Sequence, residues 1–346
     1  MNSNKRVDFL DIAKGFTMIC VLLGHTWGIP DVLYRFCFSF HMPLFFIVSG
    51  YFFHSKDDHK TFLKKESKAL LLPYIVTCLL IILISIILNI LKNNTIIPDF
   101  IKWTLASLYG ICVKTVSWPI NIIPIGAIWF LLALFTARFI LYEVIDKKGE
   151  WLWVILIAYT GYAMTQYIWL PLSIQAGMTA TFFVYVGVLI RRYNLFEKGK
   201  FPRVFCYGMF AVWAFDVYYC GNLAMSINQY GDGLIDVIGA VCGTFCVIWI
   251  SRFCEEHLTE VVLPFKQIGK MTLGILCLHL IEKNIFPWIT VYKWLGIQVI
   301  TGTWFVRFVL RILLVSIMIL VVYFTPVLSK IFFPQVEKNK NKGIIL

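Results

Sequence analysis

The sequence predicts an all-α, polytopic membrane helix bundle: about ten transmembrane helices and one short interfacial or re-entrant segment. Three observations carry this reading. Of 346 residues, 60% are hydrophobic and only 14% charged, whereas a soluble domain carries roughly 25% charged residues. The apolar residues gather in blocks of about 18–25, the length that crosses a bilayer as a helix. The blocks are continuous rather than alternating, which argues against a β-barrel.

The first segment, 8–28, contains Asp8, Asp11, Lys14 and, after an apolar run, His25. Lys14 and His25 are eleven residues apart, about three helical turns, so they share a face roughly 16 Å apart along the axis. The second segment, 32–53, holds His41 deep in the span, Pro43 as a kink site, and Ser49-Gly50, small enough for close helix packing. Segment 69–91 follows. Segment 100–118 contains Lys102, Lys114 and Trp118-Pro119 and reads as interfacial or re-entrant. The remaining spans are 122–142, with Trp129 and Arg138, then 151–168, 173–190, 204–221, 234–251, 271–290, with His279 and Glu282, and 304–332, with Arg307 and Arg311. The polar loop 222–233 is either a plain connector or the lip of a polar mouth.

Charge supports this topology. With the N-terminus inside, the inner loops collect Lys5 and Arg6; Lys56, Lys60, Lys64, Lys65 and Lys68; Lys147 and Lys148; Arg191, Arg192, Lys198, Lys200 and Arg203; Arg252, Lys266 and Lys270; and Lys330, Lys338, Lys340 and Lys342. The outer segments hold only Arg35, Lys92, Lys102, Lys114, Lys283 and Lys293. Both termini are therefore expected in the cytoplasm. The net charge of +12 is explained by this bias and by anionic lipid, which leaves nucleic-acid binding without support. Ten cysteines are present and none forms a CxxC pair. They read as small apolar residues, with no disulfide framework and no metal site expected. Asp8, Asp11 and Lys14 interrupt what would be the apolar core of a cleavable signal peptide, so the N-terminus is read as a span. The expected organisation is a membrane domain over 1–335 and a basic cytoplasmic tail over 336–346, with no soluble domain attached.

Ionisable groups within membrane spans are costly, which makes them candidates for function. His25 is a candidate general base, because imidazole takes a proton near neutral pH, or a candidate acyl carrier. Lys14 is either an anchor neutralised by Asp11 at i−3, or a cation that meets the phosphates of a cytoplasmic donor such as an acyl-CoA. His41 is either a hydrogen-bonded packing residue or part of a polar pocket with His25. Arg307 and Arg311, at i and i+4, either line a donor channel or pair with Asp216 or Asp236. Arg138 reads as snorkelling inward. His279 and Glu282 stand open between bundle-interior pairing and function.

The run Asp8-Phe9-Leu10-Asp11-Ile12-Ala13-Lys14-Gly15, the basic residue separated from His25 by ten intervening residues, and the ending Phe45-Phe46…Ser49-Gly50-Tyr51 resemble the acyltransferase-3 family of integral membrane acyltransferases. His41-Met42-Pro43-Leu44-Phe45-Phe46 resembles its fucose 4-O-acetylase-like branch, as do Trp129-Phe130-Leu131 and Gly269-Lys270-Met271-Thr272-Leu273…His279. The resemblance implies a ten-helix core, a cytoplasmic acyl donor, usually acetyl-CoA acting as co-substrate with no bound cofactor, and an acceptor on a cell-surface or lipid-linked glycan. It makes His25 the essential histidine and Lys14 its basic partner, a position often held by Arg. Asp11, Arg307, Arg311, His41 and Ser49 become donor-binding or channel candidates, with Trp129, His279 and Glu282 behind them. The expected setting is a multi-pass protein of the inner (plasma) membrane that transfers its acyl group directly to the acceptor. The alternative is a polytopic transporter or exporter of a small polar molecule, against which stands the lack of a visible inverted repeat.

Overall fold

The computed structural model describes residues 7–112, 122–197, 200, 202–220, 223–299 and 301–340. Lys114, Trp118, Pro119 and Asn222, on which some of the expectations fall, lie outside them. The described chain is mostly helical, with almost no strand. Six helices are long and apolar enough to cross a membrane: Asp31–Tyr51, His59–Leu91, Ile174–Arg192, Leu234–His257, Thr259–Ile285 and Trp304–Tyr323.

Helix α1 (Asp8–Gly24) and helix α2 (Asp31–Tyr51) form the centre. Asp58 caps α3 (His59–Glu66) by accepting from the Thr61 N–H at 3.0 Å. A π turn, Ser67–Leu71, joins α3 to α4 (Leu72–Leu91) without a break. It lies just before Pro73, which has no N–H to give to the preceding turn. Next come α5 (Ile97–Tyr109), α6 (Trp129–Val144), α7 (Glu150–Met164), α8 (Ile174–Arg192) and α9 (Arg203–Tyr219). A two-stranded antiparallel hairpin, β1 (Leu223–Ala224) and β2 (Gln229–Tyr230), precedes α10 (Leu234–His257). The chain continues through α11 (Thr259–Ile285), α12 (Trp288–Trp294), α13 (Trp304–Tyr323), α14 (Pro326–Phe332) and α15 (Pro334–Lys340).

Two glycine crossings set the centre. A Cβ at Gly15 on α1 would collide with the Phe265 carbonyl of α11, and one at Gly269 with the Asp11 carbonyl. The backbones of α1 and α11 therefore touch, and these two helices share the most extensive contact in the bundle. Gly50 on α2 and Gly187 on α8 face each other's backbones in the same way, as small residues at membrane helix interfaces do. Around this pair, α8 carries α6 and α7, α10 carries α9 and also touches α2, and α11 carries α4 and α13. Outward faces stay apolar: Leu79 and Leu83 on α4, Trp151 and Leu156 on α7, and Leu313 and Leu320 on α13 are exposed. Water would penalise so much continuous apolar surface, and lipid does not.

Several expected boundaries move. Residues 122–126 are not helical, with Pro124 among them and Gly126 at φ +94°; α6 starts only at Trp129. The expected span 304–332 is two helices, since Thr325 is extended before Pro326. The expected span 271–290 begins twelve residues earlier, at Thr259, and runs through Pro264 to Ile285. Lys266 and Lys270 therefore sit on a helix rather than in a loop, and Lys266 pairs with Asp8 at 2.6 Å. Helix α2 likewise runs through Pro43 unbroken. The 13-residue α5 is too short to cross a bilayer, about 20 Å at 1.5 Å per residue. A tail from residue 336 would begin inside α15, where Val336 is buried.

Candidate active site

Helices α1, α2, α6 and α11 form most of the wall of a cavity of about 860 Å³. It is long, because Lys14 and His25 both line it and stand roughly 16 Å apart along α1. At the Lys14 end the wall includes Ser49, Phe52, Ala69 and Thr272; at the His25 end it includes Trp27, Asp31, Tyr34, Gln229 and Lys283.

His25 is placed by the end of its own helix. It is the C-cap of α1, and both its backbone N–H (3.2 Å) and its ring Nδ1 (2.8 Å) reach the Val21 carbonyl. A carbonyl only accepts, so Nδ1 carries the hydrogen and Nε2 is left as the basic nitrogen. The last turn of α1 and the chain that leaves it are met by arginines on α13. Arg307 donates to the Trp27 carbonyl from Nε (3.1 Å) and Nη2 (2.6 Å), and Arg311 donates to the Leu22 carbonyl and to Thr26 Oγ1 at 3.2 Å. Cations at a helix C-terminus also favour its dipole. Arg307 is further held by the Gln298 carbonyl and Thr303 Oγ1.

Arg311 pairs with Glu282 at 2.9 Å, and not with Asp216 or Asp236. Glu282 also accepts from Trp288 Nε1 and meets His279 Nδ1 at 2.7 Å. The His279 and His25 rings are in edge-to-face contact, with centres 5.3 Å apart. Of this group only His25 lines the cavity; Arg307, Arg311, His279 and Glu282 are buried behind it. The arginines thus brace the His25 end, while Lys14 stands on the other side of His25, three turns away.

Lys14 pairs with Asp11 at 2.8 Å, yet keeps a place in the cavity wall. Asp11 itself is buried and does not line it. His41 lines the cavity and repeats the His25 arrangement, its Nδ1 bonded to the Cys37 carbonyl at 2.7 Å. Trp129 lines it too, packed beside Phe46 and Phe130. Ser49 lines it while its hydroxyl and carbonyl accept from Arg138 Nη1 at 2.9 and 2.8 Å. The same arginine makes a two-pronged contact with Glu66 at 2.7 and 2.8 Å, so it ties α2, α3 and α6 together rather than snorkelling to an interface.

Three contributors were not singled out from the sequence, and a fourth was one of two readings of the loop 222–233. Glu66 reads as one acid in a basic stretch, and Lys283 as an outer-loop charge, although it lines the cavity. Cys112 lines it from the chain after α5. The hairpin 223–230 folds over the His25 end, with Leu223, Met225, Ser226, Ile227 and Gln229 in the wall. Asn228 pins it by donating to the Gly161 carbonyl (3.1 Å) and Thr165 Oγ1 (3.0 Å), with its backbone left-handed at φ 52°. The glycine-bearing polarity of 222–233 was the available signal.

A helical bundle with outward-facing apolar surfaces and a histidine-lined cavity defines a multi-pass membrane protein. The acyltransferase-3 family model, described as an acyltransferase domain, matches residues 7–339, and the chain belongs to that family of membrane acyltransferases. No curated protein and no solved structure shows a significant match to it.

Proposed function

We propose that this acyltransferase moves an acetyl group from acetyl-CoA, entering at the Lys14 end, to a sugar hydroxyl presented at the His25 end. The acceptor is a cell-surface or lipid-linked glycan, as in the fucose 4-O-acetylase-like branch that the second helix resembles. One observation carries the reading: a cation and a basic imidazole, about three turns apart on one helix, line a single cavity. That separation is comparable to the reach of a pantetheine arm, so phosphates held near Lys14 bring the thioester to the imidazole.

His25 Nε2 takes the hydroxyl proton as the oxygen attacks the thioester carbon. The C–S bond then breaks, and the leaving sulfur takes the proton back. Lys14 meets the donor's phosphates in competition with Asp11, and, being lysine, as a point charge without an arginine fork. A cavity walled by packed helices holds both reactants together and strengthens each charge contact. The Lys/Arg bias supports ten crossings with both termini in the cytoplasm.

The test is transfer of labelled acetyl from acetyl-CoA in proteoliposomes, beside mass spectrometry of surface polysaccharides made with and without the protein. His25→Ala is expected to abolish transfer while the protein stays folded and inserted. Lys14→Ala is expected to raise the KM for the donor. Undiminished transfer by His25→Ala ends the proposal. A polysaccharide mass difference other than one acetyl group redirects it to another acyl donor.

A further inference from the structure

The group behind His25 is more elaborate than packing requires. His279 is fully buried, and Glu282 is 1% exposed. Glu282 accepts from Arg311 and Trp288, neither of which can surrender its hydrogen, so the carboxyl stays an acceptor toward His279 as well. His279 Nδ1 therefore carries its hydrogen toward Glu282, and Nε2 is left with a lone pair. That nitrogen is buried and has no hydrogen-bond partner among the described residues. A buried, unfilled acceptor is costly unless something uses it. The ring that carries it contacts His25.

We propose that His279, its tautomer fixed by Glu282 and Arg311, is a positioning residue for His25. It holds the imidazole edge-on and turns an electron-rich nitrogen to the charge His25 acquires in the reaction. This rests on His25 acting as the base. When His25 Nε2 takes the acceptor's proton the ring becomes a cation, and the His279 lone pair, polarised by Glu282, offsets that charge from a fully buried position. The proton leaves with the thiolate as the C–S bond breaks, so His279 ends each cycle as it began. Lys283 on α11 and the second imidazole, His41 on α2, also face His25, and Lys14 is matched by Asp11.

Two substitutions separate this role from a structural one. His279→Asn keeps a donor where Nδ1 stood, and so the bond to Glu282, but removes the far nitrogen. His279→Gln places an amide near the far nitrogen and gives up the Glu282 bond. The expected result for Asn is a fall in kcat of roughly 10- to 1,000-fold with KM within about twofold, and a smaller fall for Gln. Asn at parental kcat with Gln impaired means that the Glu282 bond alone matters, and overturns the inference. So does a change confined to KM. A second readout needs no turnover: in the protein labelled with ¹⁵N-histidine, the ring resonances of His25 are expected to move on His279→Asn, and unmoved resonances overturn the contact. Failure of the underlying reading looks different. An active His25→Ala removes the base assignment itself, whereas an inactive His25→Ala beside a fully active His279→Asn leaves the base in place and discards only its support.

Discussion

Gly15→Ala is the sharpest probe of how the fold holds the site. A Cβ added at Gly15 would lie 2.7 Å from the Phe265 carbonyl carbon and 3.0 Å from the Gly269 nitrogen, where ordinary contact begins at 3.4 Å. The obstruction is backbone, which has no rotamer to yield, so α1 and α11 must part by at least 0.7 Å, the difference between 3.4 and 2.7. Overpacking of this kind costs about 1–3 kcal/mol. The same movement shifts Lys14, the next residue, and the His25–His279 contact, which spans the same two helices. Catalytic geometry tolerates about 0.5 Å, and a misplacement near 1 Å costs on the order of 100-fold in rate. Gly208, on α9, is the control, because a Cβ there meets nothing within 4 Å. Gly208→Ala is expected to be neutral, or stabilising by up to about 1 kcal/mol through helix propensity. The assay pairs the unfolding midpoint in detergent with acyl transfer in proteoliposomes. If Gly15→Ala matches the parent in both, or Gly208→Ala loses as much, the backbone-contact argument is wrong.

Arg138→Lys retains the charge but not the four hydrogen bonds to Glu66 and Ser49, and is expected to cost about 2–4 kcal/mol, read from the unfolding midpoint; an unchanged midpoint means that the clamp bears no load. At the hairpin, Asn228→Gly keeps the left-handed backbone and loses two side-chain bonds, about 1–2 kcal/mol, while Asn228→Ala adds roughly another 1–2 kcal/mol of backbone strain. Both are expected to raise the KM for the acceptor and to leave that for the donor, with Ala worse than Gly; equal effects would show that the φ of 52° is not under strain. Hydrogen bonds from the Thr61 hydroxyl and N–H hold the Asp58 carboxyl below the usual carboxylate range. A depressed folded-state value means that the cap is intact above the ordinary range and fails as pH drops through the folded value. Amide protection at the start of α3 should fall with acidification in the parent and stay level in Asp58→Asn, which caps without titrating.

Much of the fold was legible because membrane burial writes itself into composition. A bilayer accepts only long apolar helices with internally satisfied backbones, so the blocks of apolar residues announced a helical bundle. What blurred was where each helix ends. Trp129 starts α6 because Pro124 and Gly126 interrupt the chain before it, and Pro326 splits a run that hydropathy reads as one span. Lys266 looked like a loop charge, yet its pairing with Asp8 lets α11 start at Thr259. The helical spacing of Lys14 and His25 was readable too, because residues eleven apart on a helix must share a face.

The sequence alone thus determined that the chain is a membrane helix bundle and that one helix carries a cation and an imidazole on the same stripe. Both follow from local rules, apolar length and helical period, that need no knowledge of neighbours. Tertiary structure decided which distant residues meet that stripe: Glu282 and His279 behind His25, Arg307 and Arg311 at the end of α1, Arg138 on Ser49, and a hairpin over the cavity. Those contacts join residues up to 289 positions apart, as between Leu22 and Arg311. They depend on which glycines let two backbones touch, a property of packed pairs of helices that no single segment contains.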